Sequence, residues 1–227
     1  MISICLPTYN RAEYLAEAID SIINQSYTDW QLVVVDDGST DSTETLMKYY
    51  TELDKRIEYY KTPNQGIAKA RNTAVQHTVG DYIAVMDSDD LMGPDRLKRQ
   101  LKELEKGADV CYSSYLRADE RATVIDGVKP PTPREISKQS LLKDQGIPHV
   151  TIMAKKGCFL RHPYDDKDVV NDDYRLVISW VRAGYKLAMI SDPLMIVRYH
   201  NTNTSRTQWE AIKEVNEDVR KEINETL

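Results

Sequence analysis

The stretch Tyr82-Ile83-Ala84-Val85-Met86-Asp87-Ser88-Asp89-Asp90 decides how this chain is read. Its first five residues are apolar or β-favouring and predict a buried strand. Three carboxylates, Asp87, Asp89 and Asp90, then crowd into four positions. At a strand end they repel one another unless a cation or ordered donors sit among them. Gly93-Pro94 follows, and Asp95-Arg96-Leu97 opens a helical pattern, so the acidic cluster lies in a strand-to-helix loop. In open α/β sheets that loop, at the carboxyl end of a strand, is where ligands bind. Only oxygen ligands are on offer, so the matching cofactor is a hard divalent cation, Mg2+ or Mn2+. Taken alone, the same residues fit equally well as a solvated acidic turn that caps the next helix through Asp95.

The surrounding half alternates strand and helix. Ile2 to Leu6 predicts a strand, and Leu15, Ala18, Ile19, Ile22 and Ile23 recur at helical spacing. Leu32-Val33-Val34-Val35 is fully apolar and largely β-branched, as in a parallel sheet covered on both faces. Asp41-Ser42-Thr43-Glu44 has capping-box form ahead of a helix carrying Leu46 and Tyr49 or Tyr50. Ile57 to Tyr60 predicts a short strand, Gly66 to Val75 a helix, Leu97, Leu101 and Leu104 another helix, and Val110-Cys111-Tyr112 another strand. Repeated β-α-β units predict an α/β fold with a doubly wound, mainly parallel sheet.

Polar residues suited to ligand contact sit at the strand ends: Pro7-Thr8-Tyr9-Asn10, Asp36-Asp37-Gly38-Ser39, and Asn64-Gln65-Gly66 before a helix that carries Arg71. Parallel neighbours bring these loops to one edge, beside Asp87, Ser88 and Asp89. Tyr9 can stack on a planar base or serve as a partly buried aromatic. Asp37 can accept an N–H from a base edge, or Asp36 and Asp37 simply shape a turn with Gly38. Arg71, one turn into its helix, suits phosphate oxygens or a surface salt bridge. Together these loops offer places for a base, a diphosphate and a metal, with Thr8, Gln65 and Ser88 among the donor-side residues.

Four segments, Ile2 to Asn10, Val33 to Asp41, Gly66 to Asn72 and Asp87-Ser88-Asp89, resemble in order and spacing the inverting GT-A glycosyltransferases of family 2. The resemblance implies a mixed GT-A sheet flanked by helices, with a smaller acceptor-side portion. It implies that Pro7, Tyr9 and Asp37 hold the nucleoside and that Arg71 contacts the nucleotide. It assigns Asp87 to the ribose or metal and Asp89 to the metal. It also implies a nucleoside diphosphate sugar donor, most simply a UDP-sugar, and a bacterial surface glycan or lipid-linked glycan as acceptor.

The second half is less regular. Val128-Lys-Pro-Pro-Thr-Pro133 marks a connection toward the acceptor side. Ser137 to Lys143 predicts a short helix and Val150 to Ala154 a strand. Leu176, Val177, Trp180 and Val181 share one helical face, which puts Asp172 and Asp173 at that helix's start. Acidic residues favour helix starts through capping and the dipole, and the same effects predict a moderately low pKa for Asp173. In the resembled family an acidic pair followed by an aromatic opens this helix, and its second member, here Asp173, is the general base. Asp172 stands where that family more usually has Glu, and Arg175 where it commonly has an acidic residue. On this reading Asp172→Asn is a mild control, and Asp165, Asp166 and Asp168 are the alternative bases. Pro193 to Tyr199 predicts a strand ending at His200, which reaches the metal or the leaving diphosphate, or is a hydrogen-bonded structural histidine.

Trp209, Ile212, Val215, Val219 and Ile223 form an apolar stripe on a C-terminal helix. Its polar face mixes both charge signs, so packing on the domain or against a second copy fits better than membrane insertion. The 227 residues fit one domain, divided into a donor half at 1–115, an acceptor half at 116–205 and the helix at 206–227. The net charge of -6 argues against nucleic acid as a partner. Three widely spaced cysteines, no signal-peptide pattern and no run of roughly 20 apolar residues point to a cytoplasmic protein, with peripheral attachment to the inner membrane face left open. Two other classes remain: a nucleotidyltransferase that makes nucleotide sugars, whose Gly-rich basic loop is missing after the first strand, and a non-catalytic sugar-nucleotide or glycan-binding module.

Overall fold

The computed structural model describes residues 1–130, 132, 133, 136, 147–166, 172–203, 207, 217 and 219–221. The expected helix over 137–143, Asp168, and Trp209, Ile212, Val215 and Ile223 of the C-terminal stripe lie outside them.

The first half alternates as its periodicity requires: β1 (Ile2–Thr8), α1 (Ala12–Ile23), β2 (Trp30–Asp36), α2 (Thr43–Leu53), β3 (Ile57–Lys61), α3 (Ile67–His77) and β4 (Tyr82–Val85). β5 (Leu91–Met92), α4 (Arg96–Glu105), β6 (Val110–Ala118) and β7 (Val124–Val128) follow. Then come a 3-10 turn at His149–Thr151, β8 (Met153–Lys155), α5 (Lys156–Arg161), α6 (Asp172–Arg182) and β9 (Leu187–Arg198). The strands form one mixed sheet in the order β3-β2-β1-β4-β8-β6-β9-β5, with β7 paired to β6. The β3-β2-β1-β4 part is parallel. Beyond it β8 runs antiparallel to both β4 and β6, whereas β6 and β9 are parallel.

Strand period 2 divides the core between the two faces of this sheet. Cys5, Val33, Val35, Ile83 and Val85 pack with α3, α5 and α6 on one face. Ile2, Ile4, Leu6, Leu32, Val34 and Ala84 pack with α1, α2 and α4 on the other. Val219 is buried in the first cluster, so the described part of the C-terminal stripe packs on the domain. All three cysteines are buried, and burial pushes the Cys111 thiol up to about 12 and the Cys158 thiol to about 11.

Several local expectations change. Val110–Tyr112 is only the start of a nine-residue strand, and β8 separates it from β4. Val150 and Thr151 belong to the 3-10 turn and not to the strand after it. β9 begins at Leu187, well before Pro193, because register shifts near Ser114 let the strand carry that proline. β7 and α5 had no periodic signal: β7 is largely exposed and α5 is only six residues long. Ser42 directly precedes α2 and makes no side-chain cap bond, so the capping contact comes from Asp41, one residue further back. The Asp41 carboxylate accepts the backbone N–H of Thr43, the first residue of α2, and, across the loop, that of Ala12. Asp95 does not cap α4; its carboxylate accepts the Ser26 hydroxyl.

Candidate active site

The loops after β1 and β2 are stitched together before any ligand is considered. Asn10 takes a positive φ of 51°, which its short polar side chain tolerates. Its Oδ1 accepts the Thr40 N–H at 2.8 Å, and its own N–H donates to Ser39 Oγ at 2.8 Å. Gly38 sits at φ 85°, where an added Cβ would lie 2.9 Å from the Asn64 nitrogen. That close approach lets the loop before α3 fold onto the end of β2.

The two adjacent aspartates separate their tasks. Asp36 is fully buried and shapes the turn, accepting the Ser39 N–H at 2.7 Å and the Tyr59 hydroxyl at 2.6 Å. Asp37 accepts the backbone N–H groups of Gln65 and Gly66 at 2.8 Å, one on each carboxylate oxygen. Asp37 therefore pins the loop that leads into α3. Tyr9 is 45% exposed at the strand end, an open aromatic face of the kind a base stacks on. Pro7 and Thr8 are buried beneath it, and the Thr8 hydroxyl has no hydrogen-bond partner among the described residues.

The acidic loop resolves its own repulsion by dividing its partners. Asp90 points inward and accepts the Arg198 N–H at 2.8 Å. Burial, then the charges of Asp89 and Asp87, holds its carboxyl well above the ordinary range. Asp89 Oδ2 lies 3.0 Å from His200 Nε2 and 3.4 Å from Arg11 Nε. Burial works to raise the Asp89 carboxyl, but the His200 hydrogen bond and the Arg11 charge bring it below the usual value. Asp87 Oδ1 takes a longer contact, 3.3 Å, from Arg71 Nη2. Burial raises the Asp87 carboxyl although Arg71 opposes the shift. Ser88 is buried between these two aspartates.

Arg71 is neither a free phosphate ligand nor a surface salt bridge. It is 8% exposed, and its Nη1 lies 2.7 and 2.8 Å from the two carboxylate oxygens of Asp172. Its guanidinium carbon stands 5.5 Å from the Tyr164 ring centre. Asn72, the next residue on α3, grips the Tyr164 backbone through both its N–H and C=O, and the Tyr164 hydroxyl is 2.8 Å from His149 Nε2. Arg71 thus joins the acidic loop to the start of α6. This bridge also corrects the reading of Asp172, which is 2% exposed and carries a buried ion pair.

Asp173, next to it, does not have the low pKa expected at a helix start. Burial raises its carboxyl to about 6, the Asp172 charge adds to the rise, and Arg71 opposes it. The helix start and the Tyr174 N–H, which donates to Asp173 Oδ1 at 2.8 Å, are outweighed by lost hydration.

His200 is buried and held from both sides. Its ring stacks on Tyr14 with centroids 4.6 Å apart, and its Nδ1 is 2.8 Å from Thr202 Oγ1. Arg198 anchors this end of β9, donating to Glu17 Oε2 at 2.7 Å and to the Glu120 carbonyl at 3.1 Å. Sequence reasoning missed Arg11, Arg198 and Tyr164. Arg11 directly follows Asn10, but nothing local shows that its side chain reaches Asp89, 78 residues away.

A divalent cation fits this donor set. Asp89 and His200 already share one contact, and Asp87 stands in the same loop. Among the described residues no group of three His, Cys, Asp or Glu side chains is arranged to hold an ion by itself. One or two carboxylates hold a Mg2+-type ion only together with further oxygens, such as those of a substrate phosphate.

The sequence model of the family described as glycosyl transferase family 2 matches residues 3–167. An uncharacterised glycosyltransferase of Methanocaldococcus jannaschii is 33% identical over 88% of this chain and 71% of its own length. The putative teichuronic acid biosynthesis glycosyltransferase TuaG of Bacillus subtilis is 28% identical over 94% of this chain and 84% of its own. An uncharacterised glycosyltransferase of Rickettsia bellii is 30% identical over 90% of this chain, which spans only 29% of that protein. Among solved structures, S. aureus TarS 1-349 in complex with UDP superposes with a TM-score of 0.74 at 19% identity, over 93% of this chain and 63% of that one. Mannosyltransferase PcManGT from Pyrobaculum calidifontis, in complex with GDP-Man and Mn2+, gives 0.68 at 22% identity, over 92% and 59%. At these identities the structural likeness speaks for the fold.

Proposed function

Because the chain belongs to glycosyl transferase family 2, we propose that it transfers a sugar, with inversion, from a nucleoside diphosphate sugar to an acceptor hydroxyl. The observation that carries this reading is the Arg71 bridge, which sets the acidic pair Asp172-Asp173 against the acidic loop through Asp172 and Asp87. A donor-side and an acceptor-side carboxylate are thereby held by one guanidinium.

In this reading Tyr9 stacks on the base and Asp37 accepts its N–H, while Pro7, Thr8, Gln65 and Ser88 line the donor. Asp89 and His200, with Asp87 beside them, would hold Mg2+ or Mn2+. When bound, such an ion supplies positive charge that stabilises the departing diphosphate. Asp173 takes the proton of the acceptor hydroxyl as its oxygen bonds to the anomeric carbon, and the bond from that carbon to the diphosphate breaks on the opposite face. A carboxyl with a pKa of about 6 is mostly ionised at neutral pH and still basic enough for the task. A single displacement needs no enzyme nucleophile.

The complexes of TarS with UDP and UDP-GlcNAc support a uridine-based donor, and the place of TuaG in teichuronic acid biosynthesis supports a surface-polysaccharide acceptor, free or lipid-linked. Among the described residues no helix is long and apolar enough to cross a membrane; peripheral attachment would bring the chain to a lipid-linked acceptor. The test is incubation with labelled UDP-sugars and Mn2+, following UDP release. Release that depends on Asp173 is expected. Binding without release would mark a binding module, and pyrophosphate release from UTP and a sugar phosphate would mark a nucleotidyltransferase.

A further inference from the structure

Arg11 lies at the junction of three segments. Its Nε is 3.4 Å from Asp89 Oδ2, its Nη1 donates to the Asn10 carbonyl at 3.3 Å, and its Nη2 donates to the Thr202 carbonyl at 2.7 Å. The last two partners are neutral, so Asp89 is the carboxylate with which Arg11 forms its ion pair. The contact is to Oδ2, the same oxygen that faces His200 Nε2. Both side chains are largely covered, 20% and 16% exposed, so water screens this pair only partly.

A guanidinium cannot shed its charge by losing a proton. A divalent cation arriving at Asp89 therefore meets a fixed like charge beside the carboxylate that would hold it. That repulsion is relieved only if Arg11 moves away or gains a new anionic partner. A diphosphate carries such charge, and the planar guanidinium fork matches phosphate oxygens. We propose that Arg11 is the resident counter-ion of Asp89 in the donor-free protein, and that it makes divalent-cation binding there depend on the donor's diphosphate. This rests on the assignment of Asp89 to the cation in the reading above.

The experiment is calorimetric titration of Mn2+ into the full chain, with and without saturating UDP, for the unmodified protein, Arg11→Gln, Arg11→Lys and Asp89→Asn. The unmodified protein should bind Mn2+ about tenfold or more tightly with UDP than without, a coupling of about 1.4 kcal/mol. Arg11→Gln should bind Mn2+ alone several-fold more tightly than the unmodified protein and gain correspondingly less from UDP, keeping only the part of the gain that comes from the diphosphate's own contact with the ion. Arg11→Lys, which keeps the charge, should behave like the unmodified protein. Unchanged or weaker Mn2+ binding by Arg11→Gln, or a lysine variant that behaves like the glutamine one, overturns the inference. If Asp89→Asn binds Mn2+ with UDP as the unmodified protein does, the cation assignment itself is wrong and the inference falls with it. If Asp89→Asn loses binding while Arg11→Gln changes nothing, the assignment stands and only the inference falls.

Discussion

Arg71 Nη1 lies 2.7 and 2.8 Å from the two carboxylate oxygens of Asp172, 101 residues further along the chain. The pair is buried, and its other guanidinium nitrogen turns to Asp87. Burial works against the arginine's charge, yet Asp172 and Asp87 together raise its pKa above the usual value. One side chain therefore fixes where α6 begins relative to the acidic loop.

Asp172→Asn is for this reason a poor control for lost charge. Asparagine fills the space but leaves a buried guanidinium without its main counter-charge. Unfolding in urea should show a loss of about 3 kcal/mol, the scale for breaking one side of a buried pair. A double variant with Arg71→Met should recover part of that loss, since the orphaned charge is then gone. If the single variant is as stable as the unmodified protein, the pair is not the anchor described above.

Asp173→Asn should lower turnover roughly 100-fold or more, the scale of a lost general base, with donor binding nearly unchanged. The pH dependence gives a second check. In the unmodified protein kcat/KM should rise with pH through about 6, as Asp173 ionises, and level off above it. The residual activity of the variant should lack that limb. A retained limb places the base elsewhere, with Asp165 and Asp166 next in line.

The same raised pKa has a stability consequence of defined sign. The folded-state value of about 6 lies above the unfolded value of 3.8. Below both values the carboxyl is neutral in either state and contributes no difference between variant and unmodified protein. Above about 6 it is ionised in both states, and the folded state alone bears the cost of a desolvated charge. Asp173→Asn should therefore melt higher than the unmodified protein at pH 7.5, and the gain should shrink as pH falls from about 6 toward 4. A gain that is constant across this range, or reversed, contradicts the assignment.

Asp37 tests base recognition and loop placement together. UDP should bind more tightly than CDP, because the N3–H of uracil can donate to a carboxylate and cytosine offers an acceptor there. Asp37→Ala should narrow that gap. It should also weaken both nucleotides, since the Gln65 and Gly66 N–H groups lose their shared acceptor. Fluorescence or thermal-shift titrations of both nucleotides read both effects. Equal affinity of the unmodified protein for UDP and CDP would remove Asp37 from the base-reading role.

Asp89→Ala should abolish the Mn2+ dependence of nucleotide binding without unfolding the chain. The loop around it keeps independent anchors, among them the Asp90 bond to the Arg198 N–H. Nucleotide titrations with and without Mn2+ check this directly, and a persistent Mn2+ effect would move the ion to other ligands.

The parts legible from sequence are those governed by near neighbours. Alternation along β1, β2 and β4 follows from the strand period of two, and the structure sends Cys5, Val33 and Val35 to one face and Ile4, Leu32 and Val34 to the other. The same local logic placed Asp87, Ser88 and Asp89 at a strand end beside Thr8, Tyr9 and Asp37, because parallel strands share an edge. Tertiary structure alone decided which partner each charged group found. Asp36 and Asp37, side by side in sequence, serve different tasks because one faces Tyr59 and the other the backbone before α3. Arg71 became a buried bridge because α6 packs where its guanidinium can reach, and Asp173 gained a raised pKa because the same packing removed its water. Hydration and the Coulomb field depend on distances through space, and a contact across 101 residues leaves no mark in the spacing of either side chain's neighbours.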